Sequence, residues 1–388
     1  MRYLSADHVF SAHTGFIPNG ILVLNDDGTV SDLLDPRHAA DIPDAERLDG
    51  TICPGFINAH CHLELSHLKG KIRKNTGFVG FAKELIPMRG KFSAEEIARA
   101  VAEAEEEMYT NGIVAVGDIS NTADTVAQKK KGTLRYHTFV ELLGLKAMFA
   151  EPVCETGREL LKKFPEPASL APHAPYSVSE SLLKLIAADC EAAKRITTIH
   201  NQESGDENEF FISGKGKMKE LYAFLKMDIS YFNPPGVNSL RRTLPQLPGK
   251  QNLVLVHNTF TSAEDFQWAN STRENIFWCL CPNANLYIEN TLPDFSVFTA
   301  NGAKIVVGTD SYASNEKLSV FSELQVIHEK APGIGVETLL TWATQNGAEA
   351  LRMNELGSFE ADKKPGVLLL KGVSPEKISA EAAVKRLV

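Results

Sequence analysis

Histidines and acids recur in this sequence at the ends of apolar runs. His60 and His62 close the run TICPGFINAHCH, and His173 sits in APHAPYS. His200 opens HNQES with Glu203 three residues on, His257 follows LVLV, and Asp310 follows VVGT. Side chains two apart on a strand point the same way, so His60 and His62 would project together from the end of one strand. Neutral imidazole nitrogens and carboxylate oxygens are the donors a zinc-like divalent ion takes, and a hydrolytic site keeps one position for water. His60, His62, His200 and Asp310 supply three nitrogens and one oxygen, and are read as the ligands. An ion so held lowers the pKa of its water to about 7. Glu203 is the expected proton shuttle, carrying the water's proton to a ring nitrogen or leaving group of the substrate. His257 either polarises that water beside Asp310, which then counts with it among the catalytic groups, or adds a fifth ligand. His173 is read as a substrate contact or as a support for the ligands.

Such a set needs a scaffold that brings distant strand ends to one face. The middle of the chain alternates strand and helix patterns, which favours a parallel sheet. After the strand that ends at the paired histidines, strands are expected at 113–119, 134–142, 169–174, 196–200, 253–257, 276–280 and 304–308. With the first, that is the complement of a closed (β/α)8 barrel, whose catalytic groups lie at the C-terminal strand ends. The expected helices include 179–193, 262–270 and 318–330, and one opened by Ser93 with Glu96 in a capping box, running to about Thr110. The stretch from the end of the first strand to Gly90, with 78–88 inside it, reads as irregular. Short β runs with turn signals occupy 1–50, among them ILVL before Asn25-Asp26-Asp27-Gly28, a hairpin signature. A similar run, VLLL, follows Pro365-Gly366. The domain reading is therefore a small β-sandwich assembled from 1–50 and 360–388, around a barrel at 51–359. The Pro-rich stretch 215–248 is long for a connection and reads either as a lid or as a surface excursion.

Composition narrows the partners. The chain has 388 residues, 43% hydrophobic, and a net charge of −9, which argues against nucleic-acid backbones and anionic membranes. No long apolar segment or signal-type leader is evident, and the six cysteines sit in apolar contexts suited to reduced thiols. A cytoplasmic enzyme with a small-molecule substrate is expected, with a homodimer left open.

The segments PGFINAHCH at 54–62, PHAPYSVS at 172–179, HNQES at 200–204, VHN at 256–258 and GTDS at 308–311 resemble the amidohydrolase superfamily, in its branch of deaminases and chlorohydrolases. The resemblance spans nearly the whole chain. It implies a single zinc, with ferrous iron as the alternative, and replacement of an exocyclic amino group on a heterocycle with release of ammonia. Two-metal relatives often carry a bridging modified lysine after the fourth strand, and SLAPHAPYS has none. HLELS at 62–66, LVHNTF at 255–260 and GTDSYASN at 308–315 are similar to the aminodeoxyfutalosine deaminases of an alternative menaquinone route. By that resemblance Glu64, Ser311 and Asn315 lie on or near the substrate side. Arg89 would meet an acidic substrate group, unless it is only a surface ion pair. The implied substrate is an aminated purine-like nucleoside or base, 6-amino-6-deoxyfutalosine foremost. Cyclic amide hydrolysis or dechlorination on the same site is one alternative, and a non-catalytic metal-binding barrel is another.

Overall fold

The computed structural model describes residues 1–38 and 44–388. Five strands come first: β1 (Arg2–Ser11), β2 (Gly15–Pro18), β3 (Ile21–Leu24), β4 (Val30–Leu34) and β5 (Glu46–Pro54). Eight more follow in the middle: β6 (Phe56–Cys61), β7 (Ile113–Ser120), β8 (Arg135–Leu142), β9 (Ala168–Pro172), β10 (Thr197–Asn201), β11 (Leu253–His257), β12 (Ile276–Leu280) and β13 (Ile305–Val307). The chain ends with β14 (Val367–Val373) and β15 (Ile378–Arg386).

The terminal strands share one mixed sheet, ordered β15-β14-β5-β1-β3-β4, with β2 paired to β1. The hairpin expected at Asn25–Gly28 joins β3 to β4, and Gly28 takes a φ of 85° that an L side chain rarely adopts. β14 lies antiparallel to β5, so Val367 pairs with Pro54 just before the chain enters the barrel. At that crossing a Cβ on Gly55 would come within 2.2 Å of Val114 and 2.6 Å of the Pro365 carbonyl, so only glycine lets the layers meet.

Strands β6 to β9 and β10 to β13 form two parallel ladders in chain order. Their edges meet twice. On one side His200 N–H donates to the His173 carbonyl at 2.9 Å. On the other, Cys61 bridges to Asp310, while Asn58 and Thr309 exchange hydrogen bonds of 2.8 and 3.0 Å. Ala59 of β6 shares a buried cluster with Val254, Val256, Phe277, Cys279 and Val306 of β11 to β13, which closes the ring. This is the expected eight-stranded barrel, with several strand ends displaced by one or two residues.

Helices cover it. Ala94–Thr110 opens with the expected capping box, in which Glu96 N–H donates to Ser93 Oγ at 3.2 Å and Ser93 N–H to Glu96 Oε2 at 2.8 Å. Glu180–Ala192, Ala263–Thr272 and Val320–Lys330 occupy the other expected positions. One expectation fails: residues 78–88 are not irregular but lie in the helix Gly77–Arg89. Pro87 sits in its last turn and two glycines within it, which hid the period, while burial of Phe78, Val79, Phe81 and Ala82 holds it in place. All six cysteines are free and buried, and no helix among the described residues is long and apolar enough to cross a membrane.

Candidate metal centre

The C-terminal ends of the barrel strands bring the predicted donors together. His60 Nε2 and His62 Nε2 each lie 3.5 Å from Asp310 Oδ1, and His62 Nε2 lies 3.2 Å from His200 Nε2. A tetrahedral ion with donors at about 2.1 Å sets them about 3.4 Å apart, so these separations are those of a ligand shell. His62 lies one residue past β6, and the other three sit within or just after β6, β10 and β13.

The tautomers suit metal binding. His200 Nδ1–H donates to the His173 carbonyl at 2.8 Å, which leaves the Nε2 lone pair facing the cluster. Both ring nitrogens of His60 are buried without a hydrogen-bond partner. Burying polar atoms unsatisfied is costly, and an ion accepting the Nε2 lone pair would remove that cost at Nε2. Burial pushes the imidazoles of His62 and His200 well below their ordinary range, in the neutral form a metal needs. Burial would raise Asp310, but the imidazoles of His60, His62 and His257 around it hold its carboxyl below the usual range. Ser314 Oγ donates to its second oxygen. The residues fit one divalent ion.

Glu203 and His257 adjoin this cluster, with Glu203 Oε1 3.6 Å from His257 Nε2. His257 Nδ1–H points to Asn285 Oδ1 at 3.0 Å, so its Nε2 carries the lone pair, buried and unpartnered. Burial, then the charges of Asp310 and Glu289, push Glu203 well above the usual carboxyl range. Backbone strain gathers here: His257, Asn258 and Asp310 have φ of 72°, 56° and 56° in the left-handed region. Hydrogen bonds from Asn258 Nδ2 to the Leu255 and Cys279 carbonyls hold one of these turns.

Above the cluster opens a cavity of about 370 Å³, reached by His62, His173, His200, Glu203, His257, Asp310 and Ser311. Phe78, Phe81, Leu85 and Ile86 of the Gly77–Arg89 helix supply much of its apolar wall. Leu221, Tyr222, Leu225 and Met227 supply more, so part of the 215–248 stretch walls the cavity. Residues from 228 to 246 line a neighbouring cavity of about 620 Å³.

The substrate-side residues fall out differently. His173 and Ser311 lie on the wall, with His173 Nδ1 2.7 Å from Ser177 Oγ. Arg89 also reaches it, but is already paired with Glu64 at 2.6 Å and donates to Asn121 Oδ1 at 3.2 Å. Glu64 is not on that wall. Its other oxygen accepts from the Asn121 and Thr122 N–H groups at 2.9 and 3.0 Å, so the carboxylate is spent on anchoring Arg89 and the turn after β7. Asn315 is likewise set back, donating to the Thr309 carbonyl at 2.8 Å and to Glu323 at 2.9 Å. Sequence reasoning passed over Glu141, Asn121, Asn285 and Ser314. Glu141 had a signal: it is a carboxylate in the otherwise apolar run FVELL, at the end of an expected strand.

One glycine couples the fold to the cluster. A Cβ on Gly308 would stand 2.8 Å from His60 Cβ and 2.9 Å from the His60 carbonyl. Gly308→Ala should therefore cost about 1–3 kcal/mol, as overpacking does, and weaken metal retention on dialysis. Unchanged zinc content and unchanged unfolding would refute this coupling.

Residues 51–386 match the family described as the amidohydrolase family. An adenosine deaminase from Helicobacter pylori is 28% identical over 351 residues, covering 87% of this chain and 82% of the relative. The crystal structure of Helicobacter pylori aminofutalosine deaminase in complex with methylthio-coformycin superposes with a TM-score of 0.81 at 23% identity, covering 96% of this chain and 93% of that one. Atrazine chlorohydrolase from Arthrobacter aurescens TC1, complexed with zinc, superposes with a TM-score of 0.76 at 14% identity, covering 96% and 88%.

Proposed function

The chain belongs to the amidohydrolase family, and on that premise we propose that it is a metal-dependent hydrolytic deaminase of an adenine-bearing nucleoside. The observation that carries the reading is the convergence of three imidazole nitrogens and one carboxylate beside a buried Glu203–His257 pair, under an apolar cavity. His60, His62, His200 and Asp310 would hold one zinc ion. The ion, when bound, supplies a water acidified to a pKa of about 7.

The remaining chemistry belongs to the chain. Glu203 takes a proton from the attacking water and delivers it to the ring nitrogen beside the reacting carbon. Burial and the nearby charges of Asp310 and Glu289 raise its proton affinity, which suits a group that must take up a proton before passing it on. His257, oriented by Asn285, accepts a hydrogen bond from the water and aims it at the ring carbon. A carbon–oxygen bond forms and the carbon–nitrogen bond breaks. Glu203 then takes the remaining proton from the newly bonded hydroxyl, which becomes the ring carbonyl, and passes it to the leaving amine, which departs as ammonia. The apolar walls from the Gly77–Arg89 helix and from Leu221–Met227 grip the flat base and exclude bulk water.

The substrate we favour is 6-amino-6-deoxyfutalosine, which would place the enzyme in menaquinone biosynthesis. The likeness to the aminofutalosine deaminase structure and the segments HLELS, LVHNTF and GTDSYASN support it. The test is ammonia release by purified, zinc-loaded protein from aminodeoxyfutalosine, adenosine, guanine and cytosine. Release from the adenine nucleosides, lost on chelation and restored by zinc, is expected. Metal-dependent turnover of another heterocycle without ammonia would replace the deaminase reading with another amidohydrolase reaction.

A further inference from the structure

One carboxylate on the cavity wall has no part in the chemistry above. Glu141, at the end of β8, is 5% exposed, yet its two oxygens are treated differently. Oε2 accepts from Asn121 Nδ2 at 2.9 Å. Oε1 accepts no hydrogen bond from any described residue: His200 Nδ1 stands 3.5 Å away, but its proton goes to the His173 carbonyl at 2.8 Å. Oε1 is not among the side-chain atoms sealed away without a partner, so it opens onto the cavity, where a ligand's donor can meet it.

The position of Glu141 says which donor. In the ring of eight strands, β7 and β8 stand across from β11 and β12. Glu203, His257 and Asp310 belong to the β10 to β13 side, while Asn121 and Glu141 belong to the other. A base that offers its reacting carbon to Glu203 and His257 therefore extends its far end towards Glu141. On an adenine nucleoside the reacting amine is the base's only strong hydrogen-bond donor. The other ring nitrogens are acceptors or carry the sugar, and the sugar leaves from the ring opposite the amine. Every remaining strong donor on the nucleoside core is a sugar hydroxyl.

From this we infer that Glu141, held by Asn121, binds the sugar hydroxyls through Oε1 and makes the site selective for nucleosides over free bases and deoxygenated sugars. The inference rests on the deaminase reading for the substrate's orientation. Arg89 stands beside it, hydrogen-bonded to the same Asn121. A hydroxyl donating to Glu141 can thus accept from a guanidinium N–H on its other side.

The test separates this role from turnover. Calorimetry on zinc-loaded wild type and Glu141→Gln would give the affinities of inosine and of 2′,3′-dideoxyinosine, products that cannot be deaminated. The titrations are run at pH 8. Wild type should prefer the hydroxylated ligand by about 10- to 100-fold, the range for hydrogen bonds to a charged group, and the variant should lose most of that preference. Equal losses for both ligands would mark Glu141 as a structural support of His200 and overturn the inference. So would an unchanged preference, or no binding of either ligand. Ammonia release from adenosine is scored separately, so that a hydroxyl preference without deamination would count against the proposed reaction and not against Glu141.

Discussion

Replacing Glu203 with glutamine is expected to lower turnover of an adenine nucleoside by about 10²- to 10⁴-fold, the usual contribution of a positioned acid–base group. The purified variant should keep its zinc. Glutamine preserves the size and one acceptor oxygen of the side chain, and Glu203 belongs to neither donor group at the centre, His60–His62–His200 or His60–His257–Asp310. What it removes is the ability to accept a proton and return it. The effect should fall on kcat, because Glu203 acts on the reacting atoms while the apolar wall and the far end of the cavity carry binding. Asp310→Ala makes the contrast: that protein should lose activity and metal together. Measured side by side, zinc content and kcat separate the two roles. A Glu203→Gln enzyme with near-normal kcat would remove Glu203 from the proton path, and one that arrives without zinc would reassign it to the ligand set.

What the sequence revealed and what it hid follow from how each residue is determined. His60, His62, His200, His257 and Asp310 were legible because a parallel barrel delivers strand ends to one face, so a local pattern of apolar run and terminal donor predicts a distant meeting. The hairpin at Asn25–Gly28 and the Ser93–Glu96 cap were legible for a simpler reason, since their contacts lie within a few residues. The Gly77–Arg89 helix was not. Its intrinsic preference is weakened by Gly77, Gly80 and Pro87, and it forms because Phe78 and Phe81 have a cavity to line. The pairing of Arg89 with Glu64 was hidden too, because it is set by how that helix lies across the turn after β6. Each residue separately suggested a substrate contact, and together they leave little charge for one. Lys129 is the extreme case. It heads the run Lys129-Lys130-Lys131, yet it is 4% exposed while the neighbouring Lys130 is exposed, a difference that nothing in the run itself marks.

That lysine should matter more to stability than any other side chain outside the hydrophobic core. Lys129 Nζ lies 2.5 Å from Asp118 Oδ2, and both side chains are wholly buried. Ser120 Oγ and Thr138 Oγ1 accept further hydrogen bonds from it, at 3.2 and 3.0 Å. Asp118 Oδ1 meanwhile accepts the Leu63 N–H at 2.8 Å, the first residue after His62. The pair therefore ties the turn that follows the paired histidines to the barrel wall. Lys129→Met keeps the length and removes the charge, leaving the Asp118 carboxylate buried without its counter-ion. The expected cost is about 3–5 kcal/mol, the range for breaking a buried pair from one side. Most of that should be the stranded charge and not a lost attraction. Adding Asp118→Asn tests this, because asparagine still accepts the Leu63 N–H and carries no charge. The double variant should regain most of the loss in chemical unfolding of the metal-free protein. If Lys129→Met costs under about 1 kcal/mol, the Asp118 carboxylate is not stranded by the loss of its partner and the pair does not carry the stability assigned to it. If the double variant is no more stable than the single, the pair holds the His62 turn by attraction, and zinc affinity should then fall with stability in both proteins.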